Sequence, residues 1–130
     1  YVDLLPEEAQ TAVGLTHSDT LPARRMLEAE GLRYENHVDI FDAGPVLECH
    51  IADLRTVRES VVVPVEIGET EVQEGAPRAL VSNTSLADFR VGVAPGAVEG
   101  GVFRLSAEDA AALDVRAGDS VRVLPLKSSR

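Results

Sequence analysis

Short apolar stretches set between proline, glycine and acidic residues give the chain its pattern, and the first two of them read as helices. Residues 6–13 open with Pro6, suited to a first helical turn, followed by Glu7 and Glu8 where a helix dipole favours acids, and Gly14 fits the stop. After the polar stretch Thr16-His17-Ser18-Asp19-Thr20 a second helix begins, with Asp19 or Thr20 as its cap and Pro22 inside its first turn. It carries Ala23, Met26, Leu27 and Glu30 and stops at Gly31. Residues 36–41 and 46–51 suit strands on either side of Asp42-Ala43-Gly44-Pro45, so a hairpin or a bulged turn is expected there. A short helix over 53–59 and a β-branched run over 60–67 follow, in which Pro64 predicts an edge strand or a bend.

An acidic loop over 68–77 separates this region from the rest. Beyond it, runs over 79–82, 89–94, 101–105 and 120–124 have strand character, with glycine and proline between them. One short helix over 107–113 starts at Ser106-Ala107-Glu108-Asp109, which has the form of a capping box, and Ala117-Gly118-Asp119 turns the chain into its last strand. The pattern predicts an α+β chain in two regions: two helices and a β-hairpin within 1–67, then a small β-barrel-like or sandwich subdomain over 68–130.

Composition narrows the partners. Asp and Glu outnumber Lys and Arg by 22 to 12, a formal charge of −10 that repels phosphate backbones and anionic lipid surfaces, so neither nucleic acid nor membrane is expected as a partner. The same field would attract a cationic small molecule, although acidity also serves solubility alone. The hydrophobic fraction of 45% is carried by Val, Leu and Ala, with no Trp, two Tyr and three Phe, so the core must be aliphatic. The single cysteine, Cys49, has no internal disulfide partner, and no apolar run approaches the ~20 residues that span a bilayer. Both point to a cytoplasmic protein.

The segments Thr16-His17-Ser18, Pro22-Ala23-Arg24 and Leu27-Glu28-Ala29-Glu30-Gly31-Leu32-Arg33-Tyr34, followed by Val38-Asp39-Ile40-Phe41-Asp42-Ala43-Gly44-Pro45-Val46-Leu47-Glu48-Cys49, resemble the arginine N-succinyltransferases. The likeness continues through Arg55, Arg58 and Ser60. It is weaker at Leu80-Val81-Ser82-Asn83 and Asp88-Phe89-Arg90, and returns at Leu105-Ser106-Ala107 and at Ala117-Gly118-Asp119-Ser120-Val121-Arg122-Val123. The resemblance implies a GNAT-like acyltransferase that moves succinyl from succinyl-CoA to the α-amino group of arginine in arginine catabolism. Members of that family are much longer, and their N-terminal half supplies a glycine-rich, arginine-containing turn for the CoA pyrophosphate. Here Arg116-Ala117-Gly118-Asp119 is too short for that turn and puts an acid where a phosphate would sit. With Tyr1 rather than Met at its start, the chain is expected to be the C-terminal part of such an enzyme. It would bind no cofactor itself and be inactive without an N-terminal acyltransferase half, within a homo- or hetero-oligomer. Residues 105–124 are also faintly similar to half of a double-psi barrel, and the alternative is a non-catalytic binding or assembly module.

The same resemblance places an active-site histidine at His17, where a group titrating near neutrality would serve amide formation from a thioester. A plain surface-loop histidine is the competing reading. A substrate guanidinium wants a carboxylate, and Asp39, Asp42 and Glu48 sit on or beside one hairpin. Against this, Asp42 can cap its own Gly-Pro turn, and the others can pair with Arg33, Arg55 or Arg58. Arg24, Arg25 and Arg33 are all open as partners of the succinyl carboxylate. Cys49 reads as a core residue, His37 and His50 lack further ligands at a metal-like spacing, and Glu66, Glu69, Glu71 and Glu74 read as a solvated loop.

Overall fold

A computed structural model describes residues 2–127, and their contacts fall into two compact units, Tyr1–Arg58 and Glu59–Arg130. In the first, helix α1 (Glu7–Ala12) follows Pro6, and α2 (Leu21–Glu30) has Pro22 in its first turn. Gly31 ends α2 at φ 114°, a backbone state that side chains with a Cβ rarely adopt, and its N–H donates to the Glu28 carbonyl at 3.1 Å. Strands β1 (Arg33–Val38) and β2 (Pro45–Glu48) form an antiparallel hairpin in the register Arg33↔Glu48, Tyr34↔Leu47 and Val38↔Pro45. The register shifts between Tyr34 and Val38, where Asn36 sits at φ 63°.

Both strands lie earlier than the apolar pattern over 36–41 and 46–51 suggests. The cause is Asp39, whose Oδ1 accepts the N–H groups of Phe41 at 2.7 Å and Asp42 at 3.3 Å and so folds the chain into a turn. Ile40 and Phe41, strand formers by composition, stand on that turn 88% and 91% exposed.

Helix α3 (Arg55–Glu59) is tied to the end of α2 by one carboxylate. Glu30 Oε1 accepts from Arg55 Nη2 at 2.7 Å, and Oε2 accepts from the Thr56 hydroxyl at 2.7 Å and the Thr56 N–H at 3.1 Å. The Thr56 side chain, then Arg55, hold the Glu30 carboxyl below its ordinary value. A group whose pKa is lowered on folding stabilises the fold above its unfolded value and loses that contribution as pH falls through the folded one. The expected result is that Glu30→Gln is less stable than the parent at neutral pH. The gap should close as pH drops from the ordinary glutamate range through the lowered value, as read by thermal melts across an acid series.

In the second unit, β3 (Val61–Ile67), β4 (Arg78–Asn83), β5 (Val91–Pro95), β6 (Phe103–Leu105) and β7 (Ser120–Leu126) form one mixed sheet in the order β5-β4-β7-β3-β6. Because β3 pairs with β7 and β6, the division falls at 58/59 rather than in the loop after Ile67. That pairing also makes β3 an interior strand despite Pro64. Val65 bonds to the β7 side, through Asp119 O at 2.8 Å, so the missing N–H of Pro64 faces the β6 side, where pairing begins only at Val65. The sheet is open, with β5 and β6 at its edges, and among the described residues it closes into no barrel. The α+β expectation holds in that form.

Helix α4 (Ala107–Leu113) starts at Ser106, whose Oγ accepts the Asp109 N–H at 3.1 Å. It covers the sheet with Ala110 and Leu113, which join Val65, Ala79, Val81, Ala94, Phe103, Leu105, Val115, Val121 and Val123 in the core. Buried Asn83 is satisfied by donating to Asp88 O and Leu113 O and by accepting from Arg90 N–H. Among the described residues, every buried hydrophobic side chain belongs to this unit. The first unit keeps Leu4, Leu15, Met26, Ile40, Phe41 and Ile51 exposed.

Candidate active site

The approach to His17 is set by Gly14. It is buried at φ 76°, its N–H donates to Ala43 O at 2.8 Å, and a Cβ there would lie 2.5 Å from the Tyr34 hydroxyl. Only glycine lets the backbone lie this close to the hairpin. Three residues on, His17 caps a single turn of 3-10 helix over Ser18–Thr20: its Nδ1 accepts the Asp19 N–H at 3.3 Å, and its carbonyl accepts the Thr20 hydroxyl at 2.9 Å. The Asp19 carboxylate lies 3.6 Å from the same Nδ1, and the ring is 73% exposed. Asp19 therefore offers Nδ1 a backbone donor when the nitrogen is bare and a nearby carboxylate when it is protonated. Either way Nε2 is left for another molecule.

A concavity of about 500 Å³ opens beside the ring. His17, Thr16, Thr20 and Arg24 line it from one side, and Asp42, Gly44 and Pro45 from the hairpin turn. Of the four residues singled out in the sequence, His17 and Asp42 meet here. Asp42 Oδ1 is held by the Gly44 N–H at 2.8 Å, which fixes the side chain and leaves Oδ2 without a hydrogen-bond partner in this turn. Asp39 does not line the hollow, since Oδ1 is taken by its own turn. Glu48 does not either: its Oε1 lies 2.7 Å from His37 Nδ1, across the hairpin.

Among the arginines considered for the succinyl carboxylate, Arg24 lines the concavity. Arg33 donates from Nη1 to the Glu28 and Leu32 carbonyls instead. Arg24 makes several contacts at once: Nε to Glu28 Oε1 at 3.0 Å, Nη1 to Thr16 Oγ1 at 2.7 Å, and the guanidinium 5.4 Å from the centre of the Tyr34 ring. The four-residue spacing of Arg24 and Glu28 on one helix signals their pair in the sequence. The reach to Thr16 and Tyr34 is tertiary and carries no such signal.

Elsewhere the chemistry is sparse. Cys49 is half-buried and unpaired, and no group of three or more His, Cys, Asp or Glu among the described residues is placed to hold a metal ion. Glu66 pairs with Arg104 at 3.1 Å. A hollow of about 570 Å³ in the second unit, bordered by Gln73, Arg78 and Lys127, has no histidine or carboxylate in its lining. No described helix is long and apolar enough to cross a membrane.

Two family models cover nearly the whole chain: the arginine N-succinyltransferase beta subunit matches residues 1–56, and the C-terminal domain of the same subunit matches 61–125. The chain belongs to the arginine N-succinyltransferase family. It is similar to the arginine N-succinyltransferase of Yersinia enterocolitica, 40% identical over 126 residues, and to that of Escherichia coli, 43% identical over 126 residues. Each match takes in 97% of this chain and 36% of the relative. Among solved structures it resembles subunit AI of the arginine/ornithine succinyltransferase of Pseudomonas aeruginosa, with a TM-score of 0.79 and 40% identity over 98% of this chain and 38% of that one. The chain thus spans little more than a third of the length of these succinyltransferases. The two family segments meet between residues 56 and 61, where the two structural units also divide.

Proposed function

We propose that this chain is the C-terminal part of an arginine N-succinyltransferase, which moves succinyl from succinyl-CoA to the α-amino group of arginine in the cytoplasm. The observation that carries this reading is the concavity of the first unit, which gathers His17 and Asp42 in a chain matched to the family along almost all of its length. The remaining two thirds of the relatives' length would supply a GNAT-like CoA site, for which this sequence has no glycine-rich turn. A first unit whose apolar side chains lie open to solvent suits a piece that completes a larger acyltransferase core or oligomer.

His17 carries the proton transfer in this reading. The reaction uses the tautomer with hydrogen on Nδ1, which gives up the Asp19 N–H and faces the Asp19 carboxylate 3.6 Å away; bare Nε2 then takes the proton of the substrate ammonium and frees the amine to attack the thioester carbonyl. In the tetrahedral intermediate the new C–N bond leaves the nitrogen with one proton too many, which passes to solvent at this open site; on collapse the carbon–sulfur bond breaks and the imidazolium gives the proton it took to the departing CoA thiolate. Asp42 Oδ2 receives the guanidinium of arginine. Asp39 and Glu48 support the same site from the hairpin, one by shaping the turn and the other by holding His37.

Mixing this chain with the N-terminal portion of a longer relative tests the proposal, with thiol release from succinyl-CoA as the readout. Arginine-dependent release by the mixture and none by this chain alone is expected. In that mixture Asp42→Asn should raise the KM for arginine by about tenfold or more, as loss of a charge-assisted bond implies. An unchanged KM would remove Asp42 from the site.

A further inference from the structure

We infer that Arg24 is a positioning residue for His17, acting through the Thr16 hydroxyl; the inference rests on the acyltransferase reading of His17. The turn that carries His17 is exposed and runs directly into α2, so the helix holds it on its C-terminal side. On its N-terminal side Gly14 is fixed to the hairpin by its bond to Ala43 and by the Tyr34 ring. Between Gly14 and His17, the side-chain tie to the rest of the unit is Arg24 Nη1 to Thr16 Oγ1, the shortest of the bonds Arg24 makes. Arg24 is itself held against movement by Glu28 one helical turn on and by the Tyr34 face. One aromatic ring therefore packs on the backbone at Gly14 and on the guanidinium that grips Thr16, so the start of the loop and its tie share a support. Lysine could keep the charge but not serve Glu28 and Thr16 together in this fork.

An arginine reserved for a substrate carboxylate would instead keep its paired donors free. Here Nε and Nη1 are both committed to the chain, which favours positioning over anion binding. The guanidinium is half-buried, as a structural tie would be, yet it borders the same hollow as His17, so its loss is transmitted to the ring rather than only to overall stability.

The test compares Arg24→Met, Arg24→Lys, Thr16→Val and Thr16→Ser. In the full chain, amide order parameters of residues 15–18 should fall below about 0.6 in Arg24→Met and Thr16→Val, from the ~0.85 of rigid backbone. Thr16→Ser should keep them high. In the acylating mixture, Arg24→Met and Thr16→Val should each lower kcat by about 10- to 100-fold with both KM values moved less than about twofold. Arg24→Lys should recover little, Thr16→Ser most of the rate, and the double variant should be no slower than the slower single one. Thr16→Val leaves Arg24 and Glu28 in place, so it decides the matter if Arg24→Met fails to fold. Unchanged order parameters and rate in Thr16→Val would overturn the inference. A raised KM for succinyl-CoA in Arg24→Met alone would also overturn it, in favour of an anion-binding arginine. Full activity in a His17→Ala control would instead overturn the acyltransferase reading of His17.

Discussion

In the mixture with an N-terminal portion, if the proposed acyltransferase reading holds, replacing His17 by alanine is expected to lower the turnover of arginine succinylation by about 10²- to 10⁴-fold, the usual worth of a positioned acid/base group. The substrate KM values should stay near those of the parent, because a ring that only moves a proton would contribute little to ground-state affinity. Alanine also removes a cap, since His17 Nδ1 accepts the Asp19 N–H, so a slow alanine variant alone would not separate chemistry from architecture. His17→Asn makes the separation. Asparagine is a good capping residue whose side-chain oxygen can take the Asp19 N–H, yet it does not titrate near neutrality. If His17 is the proton carrier, the asparagine variant is as slow as the alanine one. An asparagine variant with parental rate would reduce His17 to the cap of its turn. Thiol release from succinyl-CoA measures all of this in one assay.

The elements set by local chemistry were legible in the sequence. Pro22 and Gly31 delimit α2, Ser106 starts α4, and the turn ending at Asp119 leads into β7, because caps and stops depend on residues a few positions apart. What failed were features decided by distant pairing. A proline in a strand argues for an edge, but β3 takes β7 along its first half and β6 along its second, so Pro64 stays inside the sheet without a lost bond. The order of five strands, and with it the open edges where a small barrel was expected, depends on contacts such as Val65 with Phe103 that no local pattern encodes. The site divides the same way. His17 stood out through its neighbours in sequence. The carboxylates of the hairpin could not be ranked, because the acid, glycine and proline string that marks the family is also a self-capping turn that engages Asp39. Arg24 stayed one of three arginines until its eight-residue reach to Thr16 was visible.

Phe103→Ala is expected to cost the second unit about 3–5 kcal/mol, the range for truncating a buried aromatic ring. The cost should lie toward the upper end because of where the ring sits. Phe103 is wholly excluded from solvent on an edge strand of only three residues, whose other buried side chain is Leu105. Its ring reaches to within 3.6 Å of the place a Cβ would occupy on Gly96, at the start of the loop from β5 to β6, so it also packs beneath that connection. Valines and alanines make up most of the remaining core, and short, branched side chains cannot swing into the space a lost ring leaves. Small domains are stable by only about 5–15 kcal/mol, and at this size each kcal/mol moves Tm by roughly 4–8 °C. A fall in Tm of more than about 10 °C is therefore expected from calorimetry. Phe103→Leu, which keeps most of the volume and the apolar character, should recover much of that loss. Phe89, 61% exposed, provides the contrast within the same unit: Phe89→Ala should shift Tm little, since a side chain already in water has little burial to lose. Equal shifts from Phe89→Ala and Phe103→Ala would mean that burial of the Phe103 ring does not set the stability of this unit.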